Sequence, residues 1–447
     1  MDAEYKQNFH WKKILLIVIV SILSYFLPLP ISPEAMIVFS ILVLSALLWV
    51  TEAMPLFMTS LIATILIVLF NIFSFEEAVI KFVDPILILL FGGFLIAQAM
   101  QNVGWDKRIA IQISHRVKDD RFALLALMFV TAFLSMWISN TATTIVMIPI
   151  ALGILHKFKK EMNNFAKAAV LGIAYSANIG GVGTILGSPP NAIVVANLLE
   201  FSNITITFLD WIIAALPLVI ILIPIAWILL MKIFPFEKAD IIDDMEIGKR
   251  TGSQKVFLAV FIGTVLLWTT TPFTGLSSSL IAMMSATVLF LIGLLKLGDL
   301  NKTNYQILLL FGGGLVLGGA IFSTGLSDFF AQSLANALMG NPDFLVILVV
   351  IAFSIALGAL ASNTATAAIL VPVMIPLSGM LGLPVTSLSM MAGIAVSFDF
   401  LLPVGTPPNA IAYATGKVSV RDMLKAGIVL TIISIIVLAL VAQFLWA

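Results

Sequence analysis

The chain has 447 residues, 61% of them hydrophobic and 10% charged, with 23 basic residues balancing 23 acidic ones and no cysteine. Soluble domains carry about 25% charged residues, so this composition excludes both a water-soluble enzyme and a disordered chain. The neutral balance leaves no basic surplus for nucleic acid, and without cysteine there are no disulfides and no thiolate metal sites.

What remains is an all-α polytopic membrane protein with the lipid bilayer as its solvent. Met1–Lys13 is a polar lead to the apolar Ile14–Leu27, and no small-residue cleavage pattern follows, so residues 1–33 read as an N-terminal segment with a retained first helix. A crossing needs roughly 20 apolar residues. Splitting the apolar runs at charges, Pro and Gly predicts spans over 14–30, 34–50, 55–73, 85–104, 163–199, 208–231, 256–271, 277–295, 305–326, 386–415 and 422–446. Two stretches, 122–155 and 344–381, are too long for one helix and too short for two crossings, and each has Ser-Asn-Thr near its middle. Backbone breaks at membrane depth only where protein or a cavity surrounds it, so both read as re-entrant helical hairpins with the triplet at the tip. An acidic connector, 236–254, divides repeat 1 (34–235) from repeat 2 (255–447).

Basic residues set the orientation. With the N-terminus in the cytoplasm and each hairpin returning to its own side, every basic residue of the 23 except Lys81 falls in a cytoplasmic segment. These include Lys6, Lys118, Lys157, Lys159, Lys160, Lys238 and Lys249. The C-terminus then faces outside, and the expected location is the cell membrane. Trp11, Trp105, Trp211 and Trp446 lie near span ends, where interfacial aromatics collect. His10, His115 and His156 fall in polar segments with no spacing that links them.

The chain repeats itself. Leu47-Leu48-Trp49 recurs at Leu266-Leu267-Trp268, and Leu90-Phe91-Gly92-Gly93 at Leu310-Phe311-Gly312-Gly313. Ser139-Asn140-Thr141 recurs at Ser362-Asn363-Thr364, and Pro189-Pro190-Asn191 at Pro407-Pro408-Asn409. The offsets are 219, 220, 223 and 218 residues. Five spans and a hairpin per unit place the second copy upside down, the inverted repeat of secondary transporters, whose sites lie at the midplane between broken helices. The Gly pairs sit inside apolar spans and read as close helix packing, not as phosphate loops.

Proline breaks each repeat's last-but-one span, in Gly187-Ser188-Pro189 and Gly405-Thr406-Pro407. A hydroxyl residue before Pro reads as N-cap then N1 of a new half-helix, whose free N–H groups and dipole suit an anion. Two hairpin tips facing two breaks would make a site with two polar ends, suited to a substrate with two carboxylates. Exposed carbonyls and hydroxyls would also suit an alkali cation.

The paired Ser-Asn-Thr triplets, with Ser-Pro-Pro-Asn and Thr-Pro-Pro-Asn, resemble the divalent-anion/sodium symporter (DASS, INDY-like) family over roughly residues 14–446. That resemblance implies a homodimer in which a scaffold domain supports a transport domain moving as an elevator. It implies succinate, malate, fumarate, 2-oxoglutarate, citrate or sulfate as substrates, no organic cofactor and sodium ions as candidate co-substrates. The substrate residues it implies are Ser139, Asn140, Thr141, Ser188, Ser362, Asn363, Thr364, Thr406 and Pro408. The sodium sites would involve Ser135, Ser139, Asn140 and Gly187 in repeat 1, and Ser362, Asn363 and Gly405 in repeat 2.

Two positions depart from that pattern. Gly358 stands four residues before Ser362, where Ser135 precedes Ser139 in the first half, and offers no hydroxyl. Asp399, whose partner at the 218 offset is Gly181, is the one charge between Phe344 and Gly416, and such a residue is a functional candidate by default. It reads as a cation ligand, a proton carrier or a structural carboxylate. Loss of the hydroxyl points to dicarboxylate exchange with weak or no sodium dependence. Sodium-coupled symport, sulfate or citrate transport, and sodium/proton antiport are the alternatives. An intramembrane enzyme would need an acid dyad, a zinc motif or an activated serine, none of which is visible, and a channel would show rings of charge.

Overall fold

The structure, a computed structural model, describes residues 10–116, 120–155, 163–236, 250–360 and 362–446. Lys6, Lys118, His156, Lys157, Lys159, Lys160, Lys238 and Lys249, with most of the connector, lie outside the described residues. All regular structure among the described residues is helical.

Each predicted span falls on a helix or on two half-helices. The first half runs Trp11–Ser24, Pro33–Thr51, Leu56–Leu69 and Pro85–Asn102, then the hairpin arms Asp120–Ser135 and Asn140–Leu155. The broken span follows as Asn163–Gly181 and Pro189–Ser202, and Phe208–Ile233 closes the unit. The second half repeats the order: Gly252–Thr269, Ser278–Leu291, Tyr305–Ser323, arms Asp343–Leu360 and Asn363–Leu381, halves Val385–Ala395 and Pro407–Ala414, then Val420–Leu445. Among the described residues, seven helices are long and apolar enough to cross a membrane by length and composition; the breaks shorten several others. The closing helix of each half starts with the same device, a capping box, Thr207 with Asp210 and Ser419 with Asp422.

Helices also form where the span pattern predicts none. Trp105–Arg116 and Leu326–Leu338 each lead into a hairpin, and each follows a left-handed glycine, Gly104 at φ 66° and Gly325 at φ 77°. That conformation stops the preceding helix. Splitting the chain at charges hides both helices, because they are amphipathic and not uniformly apolar.

The halves interlock by exchange. Leu56–Leu69 packs on Tyr305–Ser323, and Ser278–Leu291 packs on Pro85–Asn102. Glycine makes both approaches close: a Cβ at Gly92 would stand 2.7 Å from that of Ala282, and one at Gly313 2.5 Å from that of Ser60. The repeated tryptophans make the same bond in each half, Trp49 Nε1 donating to the Leu56 carbonyl at 3.1 Å and Trp268 Nε1 to that of Ser278 at 3.0 Å.

Trp105 and Trp211 are not interfacial. Both are buried, donating to the carbonyls of Gln254 at 2.7 Å and Val182 at 2.9 Å. Val182 lies in the unwound segment just past Asn163–Gly181, where no helical N–H reaches its carbonyl, and the buried Trp211 indole supplies the partner. Trp11 is exposed.

Candidate functional site

In repeat 1 the first hairpin arm ends at Ser135 and the second begins at Asn140. Trp137, in the turn between them, stacks with Trp268 at 6.2 Å and meets Phe261 edge-on at 4.9 Å, which fixes the tip against the other half. Ser139 is exposed and caps the second arm, its Oγ accepting from the Ala142 N–H at 3.3 Å. Asn140 and Thr141 are half-buried.

Ser135 is fully buried, with Oγ 2.8 Å from the Ala177 carbonyl and 2.6 Å from the Asn140 side-chain amide. The Asn140 atom that faces Ser135 is also 3.2 Å from the carbonyl oxygens of Ala177 and Gly187. With the nitrogen in that place the amide donates to these oxygens and ties the hairpin tip to the broken span. Two glycines make room. A Cβ at Gly181 would lie 2.4 Å from Asn140 Oδ1, and one at Gly187 2.5 Å from the Gly181 carbonyl oxygen.

The breaks are pinned by the asparagine of each Pro-Pro-Asn. Asn191 Nδ2 donates to the carbonyls of Gly181 at 2.9 Å and Thr184 at 2.7 Å. Asn409 Nδ2 donates to those of Asp399 and Leu402, both at 3.1 Å. Donor and acceptors share the 218-residue offset in full. The chain unwinds ahead of each Pro-Pro, and the following asparagine's amide satisfies carbonyls of that unwound segment. Asn191 Oδ1 and Asn409 Oδ1 remain buried without a partner.

Ser188 and Thr406 stand at the N-cap positions of their half-helices, with Pro at N1. Only Thr406 caps, accepting from the Asn409 N–H at 3.3 Å. Ser188 makes no side-chain cap bond and pairs instead with Ser397 Oγ at 3.3 Å, across the two halves. The expected symmetry of the two hydroxyls therefore does not hold. Asn178 strengthens the crossing, donating to Thr406 Oγ1 at 3.1 Å and to the Asp399 carbonyl at 3.4 Å. The two breaks meet each other, and each half-helix packs on the other repeat's second hairpin arm.

In repeat 2 the hairpin arms meet through residues 361–362, the first of which lies outside the described residues. Ser362, Asn363 and Thr364 are half-buried. Ser362 makes no cap bond, and Asn363 Oδ1 is buried without a partner. Pro408 is buried and Gly405 half-buried. Asp399 is 1% exposed; its Oδ1 accepts from the Leu401 N–H at 3.2 Å and its Oδ2 has no partner.

Asn191 and Asn409 belong to the repeated Pro-Pro-Asn motif, but the motif gives them no role, and the structure shows that they pin the breaks. Asn178, Thr184 and Ser397, which also hold the centre together, carry no such sequence signal.

A family model described as the sodium:sulfate symporter transmembrane region matches residues 7–447. The chain is 38% identical over 412 residues to a protein described as an uncharacterized transporter from Methanocaldococcus jannaschii, covering 90% of this chain and 91% of that one. It is 36% identical over 438 residues to a protein with the same description from Haemophilus influenzae, covering 94% and 93%. It is 32% identical over 459 residues to the sodium-dependent dicarboxylate transporter SdcS of Staphylococcus saprophyticus, covering 95% and 88%. Among solved structures it resembles MtrF of Neisseria gonorrhoeae, with a TM-score of 0.61 at 12% identity over 97% of this chain and 94% of that one. It also resembles the YdaH transporter of Alcanivorax borkumensis, with a TM-score of 0.58 at 14% identity over 82% and 86%. Those likenesses establish the fold, that of polytopic membrane transporters.

Proposed function

Since the chain belongs to the divalent-anion/sodium symporter family, whose matched relatives are transporters and not enzymes, we propose that it is a secondary transporter of C4–C5 dicarboxylates. Succinate, malate, fumarate and 2-oxoglutarate are the substrates of this reading. The observation that carries it is the meeting of two broken helices, Asn178 to Thr406 and Ser188 to Ser397, beside a hairpin amide, Asn140.

The half-helices Pro189–Ser202 and Pro407–Ala414 start at this centre, and the positive ends of their dipoles favour negative charge, although proline at N1 and N2 leaves no N–H there to donate. No Lys or Arg lies between Phe344 and Gly416, so the hairpin and broken span of repeat 2 bring no positive side chain to a carboxylate. Recognition then rests on amides and hydroxyls: Ser139, Asn140 and Thr141 take one carboxylate, and Ser362, Asn363 and Thr364 the other. Ser188, Thr406 and Pro408 line the half-helix starts. Hydrogen bonds to a charged group contribute about 1.5–3 kcal/mol each, enough for a few amides and hydroxyls to hold a dianion without a basic residue.

In this reading the two repeats are inverted, the hairpins and broken spans form a transport domain, and the domain moves as an elevator against a scaffold that holds a homodimer. The N-terminus is cytoplasmic and the C-terminus outside in the cell membrane. Transport runs as exchange with weak sodium dependence, because Gly358 leaves repeat 2 without the hydroxyl that Ser135 gives repeat 1. The name of the relative SdcS supports a second reading, sodium-coupled symport.

Uptake of labelled succinate into proteoliposomes tests the substrate class, with malate, fumarate, 2-oxoglutarate, citrate and sulfate as competitors. Competition by the C4–C5 acids is the expected result. Competition by sulfate or citrate alone would reassign the substrate.

A further inference from the structure

Lys81 is the one basic residue that the charge pattern leaves on the outer side, and it is not free there. Its Nζ lies 2.5 Å from Glu200 Oε1, with the two side chains only 21% and 23% exposed. Lys81 opens the short turn Lys81–Val83 ahead of Pro85–Asn102, outside the hairpins and broken spans. Glu200 belongs to the last turn of the half-helix Pro189–Ser202, inside them. The neighbouring Phe201 stacks on Phe322 of Tyr305–Ser323, with ring centroids 4.3 Å apart and planes within 11°. Glu200 Oε1 rests against the same helix, 3.6 Å from where a Cβ on Gly319 would stand. One ion pair and one ring stack therefore join the end of the half-helix to segments outside the hairpins and breaks.

Repeat 2 does not reproduce the pair. At the 218-residue offset of the breaks, Glu200 falls on Val418, which is buried and carries no charge. At the 220-residue offset of the glycine motif, Lys81 falls on Asn301. The adjacent Lys302 turns to Asp299, three residues away in its own segment, with Nζ and Oδ1 2.7 Å apart.

We propose that the Lys81–Glu200 pair is a conformational latch, holding the half-helix of repeat 1 against the fixed part of the carrier in the state seen here. The inference rests on the elevator reading, in which the broken spans move and Lys81 does not. Displacement of the half-helix then parts the two charges. A contact made in one state and absent from the other shifts their equilibrium by its own free energy. In inverted repeats the opposite state brings repeat 2's elements together in place of repeat 1's, and these hold no matching pair. The latch thus biases the resting carrier to one side.

The test uses the chain's lack of cysteine. Phe201→Cys with Phe322→Cys introduces two thiols at the ring stack, and a short bifunctional thiosulfonate competes for them with a water-soluble maleimide. The ratio of cross-linked to labelled protein follows the ratio of joined to parted carrier. Against this background Glu200→Gln, which matches Glu in size, and Lys81→Met should each lower the ratio about two- to five-fold, as for an ion pair that keeps some contact with water. Lys81→Glu with Glu200→Lys should restore it, and Lys302→Met, which removes a pair within one segment, should leave it unchanged. An unchanged ratio in both single variants, or no recovery in the reversed pair, would overturn the latch and leave the elevator reading standing. Full succinate exchange by completely cross-linked carrier would overturn the elevator reading and the latch with it.

Discussion

The two helix breaks share one scaffold and differ in how they close it. Both are pinned by the asparagine of Pro-Pro-Asn to carbonyls at matching positions. Break 1 then relies on absence: Gly181 and Gly187 withdraw so that Asn140, Ser135 and two carbonyls converge. Break 2 holds a carboxylate, with Gly405 withdrawing beside it, while Gly358 withdraws from the Val396 backbone. A pinned loop can thus be kept constant while the charge of the space beside it changes through a few coupled substitutions.

The largest expected effect separates the two glycines that follow the breaks. Gly405→Ala drives a methyl into the Asp399 carboxylate and should cost more than the about 1–3 kcal/mol typical of overpacking. Asp399→Ala in the same chain should restore the melting temperature, since contacting residues couple. Gly187→Ala meets backbone carbonyls of Gly181 and Ser135, so Asp399→Ala should not rescue it. Rescue of both or of neither would break the comparison.

Next come the hairpin amides. Asn140→Ala and Asn363→Ala should each weaken succinate binding by about 10- to 100-fold, the loss of a hydrogen bond to a charged group, as read by calorimetry. Wild-type affinity in either variant would displace the site.

A smaller effect concerns the caps. Thr406→Ala should lower stability by about 0.5–2 kcal/mol, the usual loss of an N-cap, whereas Ser188→Ala removes no cap bond and should cost less. Equal losses in thermal unfolding would restore the symmetry that the structure denies.

Much of this was legible in the chain itself. Spans followed from apolar length, and Ser-Asn-Thr marked both tips, because periodic burial and helix breaking are local properties. The glycine pairs at Gly92 and Gly313 likewise announced close packing. The helices Trp105–Arg116 and Leu326–Leu338 escaped because a charged face in the first and a polar face with Asp328 in the second interrupt the apolar run, although Gly104 and Gly325 mark both starts. Partners across the halves escaped for another reason. Nothing near Ser188 says that its hydroxyl turns to Ser397, 209 residues away, and not to its own helix. Trp211 looked interfacial because position along a span does not reveal which carbonyl needs a donor.

The most direct test of the central claim is counterflow of labelled succinate into proteoliposomes loaded with unlabelled succinate, with choline replacing sodium on both sides. The account predicts that wild-type exchange persists. Absence of exchange with or without sodium would contradict dicarboxylate transport, and complete dependence on added sodium would contradict the exchange mode.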